Sequence, residues 1–431
     1  MSILVLFLGG LILLFLLAFG APYAIGLVSA CALLYQRGWE NFPFDTLAQK
    51  MVYSGNSFVL IAIPFFLLAG KLMNTGSITN RIFNFCNTLV GWLPGGLGHA
   101  NVLASIIFAG MSGSAVADAA GLGTIEIKAM EDQGFDTDFS AAITAASSTI
   151  GPIIPPSIPM ITFGVAAGNV NIAKLLIGGI IPGLIMGLSL SIMVAKISKK
   201  RNYPCTPFPT MAKVWADFKP AFWPLLTPVI LIGGMLIGVF TPTEAAAVSS
   251  FYAFVLTVLI YREISLKGLF KVFVETAKES AAILFIVCAS MLYGYLLTRL
   301  QIPALMMKTM FAITTNKYLI LILINILLLV VGCFMDGNAA LLILTGTIIA
   351  MTNQLGIDPI HLGVVMVLNL MIGLLTPPIG MCLFTVSRVA NISLDRMIKS
   401  VIPFYWPLLA SLAIITFFPE TVLFLPNLLL R

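Results

Sequence analysis

The sequence predicts an all-α polytopic membrane protein made of two inverted repeats, each with five membrane crossings, a re-entrant helical hairpin and a broken helix. Three observations carry this expectation. First, 59% of the 431 residues are hydrophobic and only 9% are charged, against about 25% charged in an ordinary soluble domain; mean hydropathy is +1.05. A soluble chain this apolar could not cover its surface, which excludes a soluble enzyme, a nucleic-acid-binding protein and a disordered chain. Second, the apolar sequence is interrupted at four places by glycine, proline and hydroxyl residues. Third, those interruptions recur at one offset, 222 residues.

Uninterrupted apolar stretches lie near 3–19, 22–35, 57–73, 175–195, 221–240, 245–260, 280–297 and 401–418. Each is a candidate for a spanning helix of roughly 20 residues once its ends are included. No Lys or Arg precedes the first stretch, so it reads as a retained span and not a signal peptide. Stretches 77–91, 262–279 and 304–316 mix charged with apolar residues and suit helices lying at the interface. The interrupted regions are 97–127, broken at Gly110–Ser114, and 139–166, broken at Gly151–Pro159. Their counterparts are 318–350, broken at Gly332–Asn338, and 360–386, broken at Gly373–Gly380. Segments 97–110 and 114–127 would each make about 21 Å of helix, too short for a hydrocarbon core of about 30 Å. They can enter and return, which makes 97–127 a hairpin.

Gly110 maps onto Gly332, Gly151 onto Gly373, Pro155-Pro156 onto Pro377-Pro378 and Asn169 onto Asn391, all at the same spacing. A register kept over so long a stretch marks two homologous halves, 1–195 and 220–431, joined by the basic linker 196–219. Five crossings per half turn the second half upside down. With the linker in the cytoplasm, both termini are periplasmic and 16 of the 23 basic residues lie inside, as the positive-inside rule requires. The first hairpin then opens to the cytoplasm and the second to the outside.

In lipid, each unpaired backbone N–H or C=O costs several kcal/mol, so irregular backbone survives at depth only where protein, water or a ligand satisfies it. Carbonyl and hydroxyl oxygens without a dense carboxylate cluster suit a monovalent cation such as Na⁺, and free helix N-termini suit an anion. The first candidate sodium site is Ser112 and Ser114 with the carbonyls of Gly151, Ile154 and Pro156. The second, at the same offset, is Asp336, Gly373, Thr376 and Pro378. Taken singly, these residues could equally kink and pack helices, and Asp336 could cap a helix. Asp118 could line a substrate path, tune the first site or hold a structural hydrogen bond. Arg299 is the candidate substrate anchor, because Arg holds a carboxylate bidentately. Lys71 is a weaker candidate. Both stand at span ends, where snorkelling to the interface is the plainer reading. The six cysteines and two histidines form no metal-binding pattern, and no phosphate-binding loop is present.

Ala109-Gly-Met-Ser-Gly-Ser-Ala-Val-Ala-Asp118, Gly151-Pro-Ile-Ile-Pro-Pro-Ser157, Phe334-Met-Asp-Gly-Asn338 and Leu375-Thr-Pro-Pro-Ile-Gly380 resemble the large membrane subunit of TRAP (tripartite ATP-independent periplasmic) transporters. The resemblance covers essentially the whole chain. It implies an elevator-type transporter of the ion-transporter superfamily: a Na⁺-coupled importer of small organic acids in a bacterial inner membrane. It also implies a small four-span membrane subunit, here a separate chain, and a periplasmic substrate-binding protein. A sialic acid is the preferred substrate, with a C4-dicarboxylate or keto acid possible. The alternatives are a stand-alone Na⁺/carboxylate symporter or an ion exchanger of related fold. An intramembrane enzyme lacks a convincing catalytic constellation.

Overall fold

A computed structural model describes residues 44–74, 76–299, 301–314 and 316–430. The expected spans 3–19 and 22–35 lie outside the described residues. Those described form twenty α-helices and no strand. Seven helices are long and apolar enough to cross a membrane, or eight if the bent pair 58–73 and 77–90 is one span.

In the first half the helices are α1 (Phe44–Gly55), α2 (Ala62–Met73, entered through a 3₁₀ turn), α3 (Gly76–Val90), α4 (Gly96–Ser112), α5 (Ala115–Ala120), α6 (Leu122–Asp132), α7 (Thr137–Ser148), α8 (Ile158–Ala167), α9 (Ile172–Gly178) and α10 (Ile180–Arg201). In the second they are α11 (Met211–Leu236), α12 (Pro242–Phe254, prolonged by a π turn to Ile260), α13 (Leu266–Arg299), α14 (Ile302–Ile313), α15 (Lys317–Phe334), α16 (Gly337–Thr352), α17 (Pro359–Gly373), α18 (Met381–Val389), α19 (Leu394–Phe417) and α20 (Glu420–Leu429). The helix starts follow the sequence closely. Ser114, Ser157, Asn171, Thr210 and Asp336 each accept a first-turn N–H, and Thr241 with Glu244 closes a capping box. Pro242 and Pro359 occupy first-turn positions, where a missing N–H is harmless.

Two expectations change. Stretch 262–279 is not a separate helix. From Leu266 it is continuous with the following span as α13, 34 residues long, because no proline falls between Leu266 and Arg299. The linker is also shorter than expected. Lys196, Lys199, Lys200 and Arg201 sit on the last turns of α10, Lys213 and Lys219 on α11, and only 202–210 is irregular.

Helix starts recur at the sequence offset: Phe44 and Leu266, Ala115 and Gly337, Thr137 and Pro359, Ile172 and Leu394. Packing is exchanged in the same way. α8 lies on α16 and α18 lies on α5; α19 packs on α7 and α9 packs on α17. α10 packs on α19, where the hydroxyls of Ser189 and Ser411, themselves 222 residues apart, are 2.9 Å apart. Helix direction differs between the halves. α7 starts beside the start of α19, with Asp138 and Arg396 paired at 2.6 Å. α17 runs against α19: His361, near its start, bonds the Ile415 carbonyl, and Leu375, just past its end, accepts from Tyr405.

The helices that flank the interruptions at 110–114 and 332–338 differ in length. α15 and the α16 segment have 18 and 19 residues, long enough by length to cross; α4, α5 and α6 have 17, 6 and 11. By length α15 and the α16 segment pass as spans, whereas α4, α5 and α6 each fall short of 18 residues.

Candidate functional site: two tips, two breaks and one cavity

Each tip touches the broken helix of its own half. α4 ends at Ser112, Gly113 turns through φ 62°, and Ser114 caps α5. A Cβ on Gly113 would stand 2.5 Å from the Pro156 carbonyl oxygen, so the left-handed turn and the close approach both require glycine. Opposite lies the break at 149–157. The Ser157 hydroxyl donates to the Pro152 carbonyl inside it. Among the described residues no donor reaches the carbonyls of Gly151, Ile154 and Pro156, the three expected at the first sodium site. The Ser112 hydroxyl donates to Asp118 Oδ1. Asp118 Oδ2 is buried without a partner, on the side where a Gly151 side chain would begin.

The second contact is built differently. Met335 is extended, at φ −125°, and Asp336 caps α16. Asp336 Oδ1 accepts from the Asn338 and Ala339 N–H groups at 3.0 and 3.2 Å. The capping role considered for it is therefore real, and both bonds fall on one oxygen. α15 and α17 cross at Gly332 and Gly373, where a Cβ on Gly373 would be 2.7 Å from Gly332 Cα. The Ile379 N–H donates to the Cys333 carbonyl at 3.2 Å, tying this break to its tip. The Gly373 carbonyl takes the Thr376 N–H at 2.9 Å, which leaves one lone pair. The Thr376 hydroxyl donates to the Ile372 carbonyl at 3.0 Å. Among the described residues the Pro378 carbonyl receives no donor.

Both tips open onto one cavity of about 570 Å³, bordered by Ser112, Ser114, Asp336 and Asn338 together with Lys71 and Glu279. A smaller space of about 220 Å³ adjoins it, sharing Ser114, Asp336 and Asn338 and reaching Pro152 and Leu374 of the breaks. Such a volume takes a small organic molecule. Two expected substrate residues do not reach it. Arg299 is exposed at the end of α13, its guanidinium 3.4 Å from the Tyr295 hydroxyl. Asp118 is sealed behind Ser112, beside the first break. Sequence reasoning ranked Lys71 below Arg299, with snorkelling as the plainer reading, and missed Glu279 and Asn338. The legible signal was Glu275 and Glu279, two acids one helical turn apart just ahead of an apolar run.

Comparison with known proteins agrees with this architecture. Residues 10–421 match the family described as "Tripartite ATP-independent periplasmic transporter, DctM component". The sialic acid TRAP transporter large permease protein SiaM of Vibrio cholerae is 43% identical, over 96% of this chain and 97% of its own. The sialic acid TRAP transporter permease protein SiaT of Haemophilus influenzae is 43% identical over 97% of this chain and 68% of its own. The C4-dicarboxylate TRAP transporter large permease protein DctM of Pseudomonas aeruginosa is 39% identical over 89% of each chain. Among solved structures, the YdaH transporter of Alcanivorax borkumensis superposes with a TM-score of 0.61, covering 96% of this chain and 97% of that one at 14% identity, a likeness of fold alone. The chain belongs to the DctM family, the large permease component of tripartite ATP-independent periplasmic transporters, and is a multi-pass membrane transporter, not an enzyme.

Proposed function

We propose that this chain is the large permease of a Na⁺-coupled importer of a small organic acid, a sialic acid by preference, in a bacterial inner membrane. The observation that carries the reading is the shared cavity. Two tips border it, an adjoining space reaches Pro152 and Leu374 of the breaks, and carbonyl oxygens of the breaks are left without donors. Oxygens in that state are costly in a membrane unless a cation meets them. Ser112, Ser114 and the carbonyls of Gly151, Ile154 and Pro156 would hold one Na⁺. Asp336, Thr376 and the carbonyls of Gly373 and Pro378 would hold another, with Asp336 supplying the charge. Sodium can drive import only by binding the substrate-competent state more tightly than the other. The sialic acid preference rests on two relatives of that name at 43% identity, against 39% for a C4-dicarboxylate relative.

The inverted repeat belongs to the same proposal. A two-fold axis between α10 and α19 accounts for the 222-residue register, the exchanged packing and the opposite directions of α7 and α17. With the basic linker cytoplasmic, both termini are periplasmic. The hairpins and broken helices move together, elevator-fashion, against the remaining helices. A four-span small subunit and a periplasmic binding protein that delivers the acid complete the transporter.

The test is uptake of labelled N-acetylneuraminate by proteoliposomes holding the complex and its binding protein, with and without a Na⁺ gradient. Ser114→Ala and Asp336→Ala are expected to abolish Na⁺-dependent uptake while the protein still inserts. Uptake indifferent to both substitutions would refute the site, and uptake indifferent to Na⁺ would refute the coupling.

A further inference from the structure

The cavity carries an ion pair that the sodium sites do not use. Lys71 Nζ donates to Glu279 Oε1 at 2.6 Å and lies 3.6 Å from Glu275 Oε2. Lys71 stands on α2 and the two glutamates on α13, outside both hairpins and both broken helices. Among the described residues bordering the cavity, Lys71 is the one cationic side chain. Its neighbour Gly70 lies against the first tip, where a Cβ would be 2.9 Å from Ser112 Cα. The lysine is thus held next to the first candidate sodium site. Its side chain is 22% exposed and that of Glu279 52%. Water reaching the open Glu279 side weakens the pair, so an incoming anion can exchange with that partner.

We propose that Lys71, on the fixed helices, is the anchor that receives the carboxylate at this cavity before the hairpins move, and that Glu279 is a built-in competitor holding the anchor until the carboxylate of the substrate displaces it. No covalent bond changes; one carboxylate replaces another on the ammonium group. Once displaced, Glu279 is an acceptor beside the anchor, placed for hydroxyl or amide N–H donors on the same molecule. The ligand class is therefore a monocarboxylate with hydrogen-bond donors close to its acid group. A dicarboxylate fits poorly, because its second charge would face Glu279 and Glu275, and discrimination of that kind is built from repulsion as much as attraction. The inference rests on the transporter reading above and adds the contact that selects the acid.

The competitor role predicts effects of opposite sign. Uptake of labelled N-acetylneuraminate is measured in proteoliposomes with the full complex and its binding protein, at saturating Na⁺, with succinate as competitor. Lys71→Met is expected to raise KM at least tenfold. Glu279→Gln is expected to lower KM threefold or more and to make succinate a better inhibitor. If the pair only joins α2 to α13, both neutral substitutions break it alike and move KM in the same direction, which overturns the proposal; an unchanged KM in both overturns it too. Should Lys71→Met fail to assemble, Glu279→Gln decides alone, and anything but a lowered KM counts against the idea. Wild-type complex that imports none of the acid would sink the transporter reading itself, a result distinct from normal wild-type uptake with unaltered variants.

Discussion

The two tip–break contacts occupy equivalent places in the chain and are sealed to different degrees. Residues 151–157 of the first break are all buried, whereas in the second Thr376 and Pro377 are half-buried and Pro378 is exposed. The first tip turns through a left-handed glycine and offers hydroxyls. The second turns through an extended methionine and offers a carboxylate. One physical idea joins these differences. Where water is shut out, a carboxylate held behind the tip hydroxyls, Asp118 behind Ser112, still acts at low dielectric, but where water competes the charge is needed at the tip itself, because the attraction falls as the effective dielectric rises.

The largest effect expected from this contrast lies in the backbone of the tips. Gly113→Ala forces a Cβ into the left-handed region and onto the Pro156 carbonyl, a cost of about 1–3 kcal/mol from the conformation alone. Uptake in proteoliposomes is expected to fall at least tenfold. Met335→Ala, at the equivalent place, keeps an ordinary extended conformation and is expected to change uptake less than about threefold. Equal losses would mean that the two tips are alike after all.

Charge is the next difference. Asp336→Asn keeps an oxygen for the Asn338 and Ala339 amides but removes the negative charge. The Na⁺ concentration for half-maximal uptake is expected to rise about tenfold, the loss of roughly 1.4 kcal/mol of binding. Ser114→Asp adds a carboxylate at the first tip, near Asp118, whose buried oxygen already lacks a partner. That substitution is expected to impair insertion or uptake outright, since like charges buried together repel. A Na⁺ titration of both variants decides whether charge at the tip is wanted only on the open side.

Accessibility sharpens the comparison further. In a background whose native cysteines are replaced, Pro378→Cys is expected to react with a membrane-permeant maleimide several times faster than Ile154→Cys, and Na⁺ is expected to slow the former. Matching labelling rates would remove the distinction between sealed and open breaks.

The sequence made the breaks legible because glycine, proline and hydroxyl residues are conspicuous against a background that is 59% hydrophobic. Gly113, Ser114, Pro156 and Asp336 announce backbone that cannot continue a helix. Tertiary neighbours are a different matter. Lys71 at the end of an apolar run reads the same whether it snorkels to the interface or faces Glu279 across a cavity, because nothing local encodes a partner more than 200 residues away. Arg299 shows the converse: a residue type well suited to a carboxylate, placed by a long helix on an exposed end. The continuity of α13 was equally hidden, since charged residues ahead of a span mark an interfacial helix as readily as its first turns.

The smallest effects belong to the ends of the broken helices. The start of α7 is tied down by charge: Asp138 pairs with Arg396 at 2.6 Å, and Asp136 with Arg201 at 2.8 Å. α17 has no such pair among the described residues and is held by the His361 contact to the Ile415 carbonyl. The Tyr203 hydroxyl, then Arg201, hold the Asp136 carboxyl below the usual carboxylate range. A group depressed in this way adds stability above its unfolded pKa of about 3.9 and loses it as pH falls through the folded value. The detergent-solubilised protein should therefore show no change in Tm from this group between pH 6 and 8. It should show a decline only in acid, and Asp136→Asn should flatten that decline. Arg396 is 60% exposed and Asp138 29%, so Arg396→Gln is expected to cost about 1 kcal/mol, the upper end for a surface pair. That amounts to a shift of a few degrees at most, with KM for the transported acid unaltered. A large loss of uptake in Arg396→Gln would instead show that the sealed half owes its closure to charge at its margin, and not to the close packing of Gly113 against Pro156.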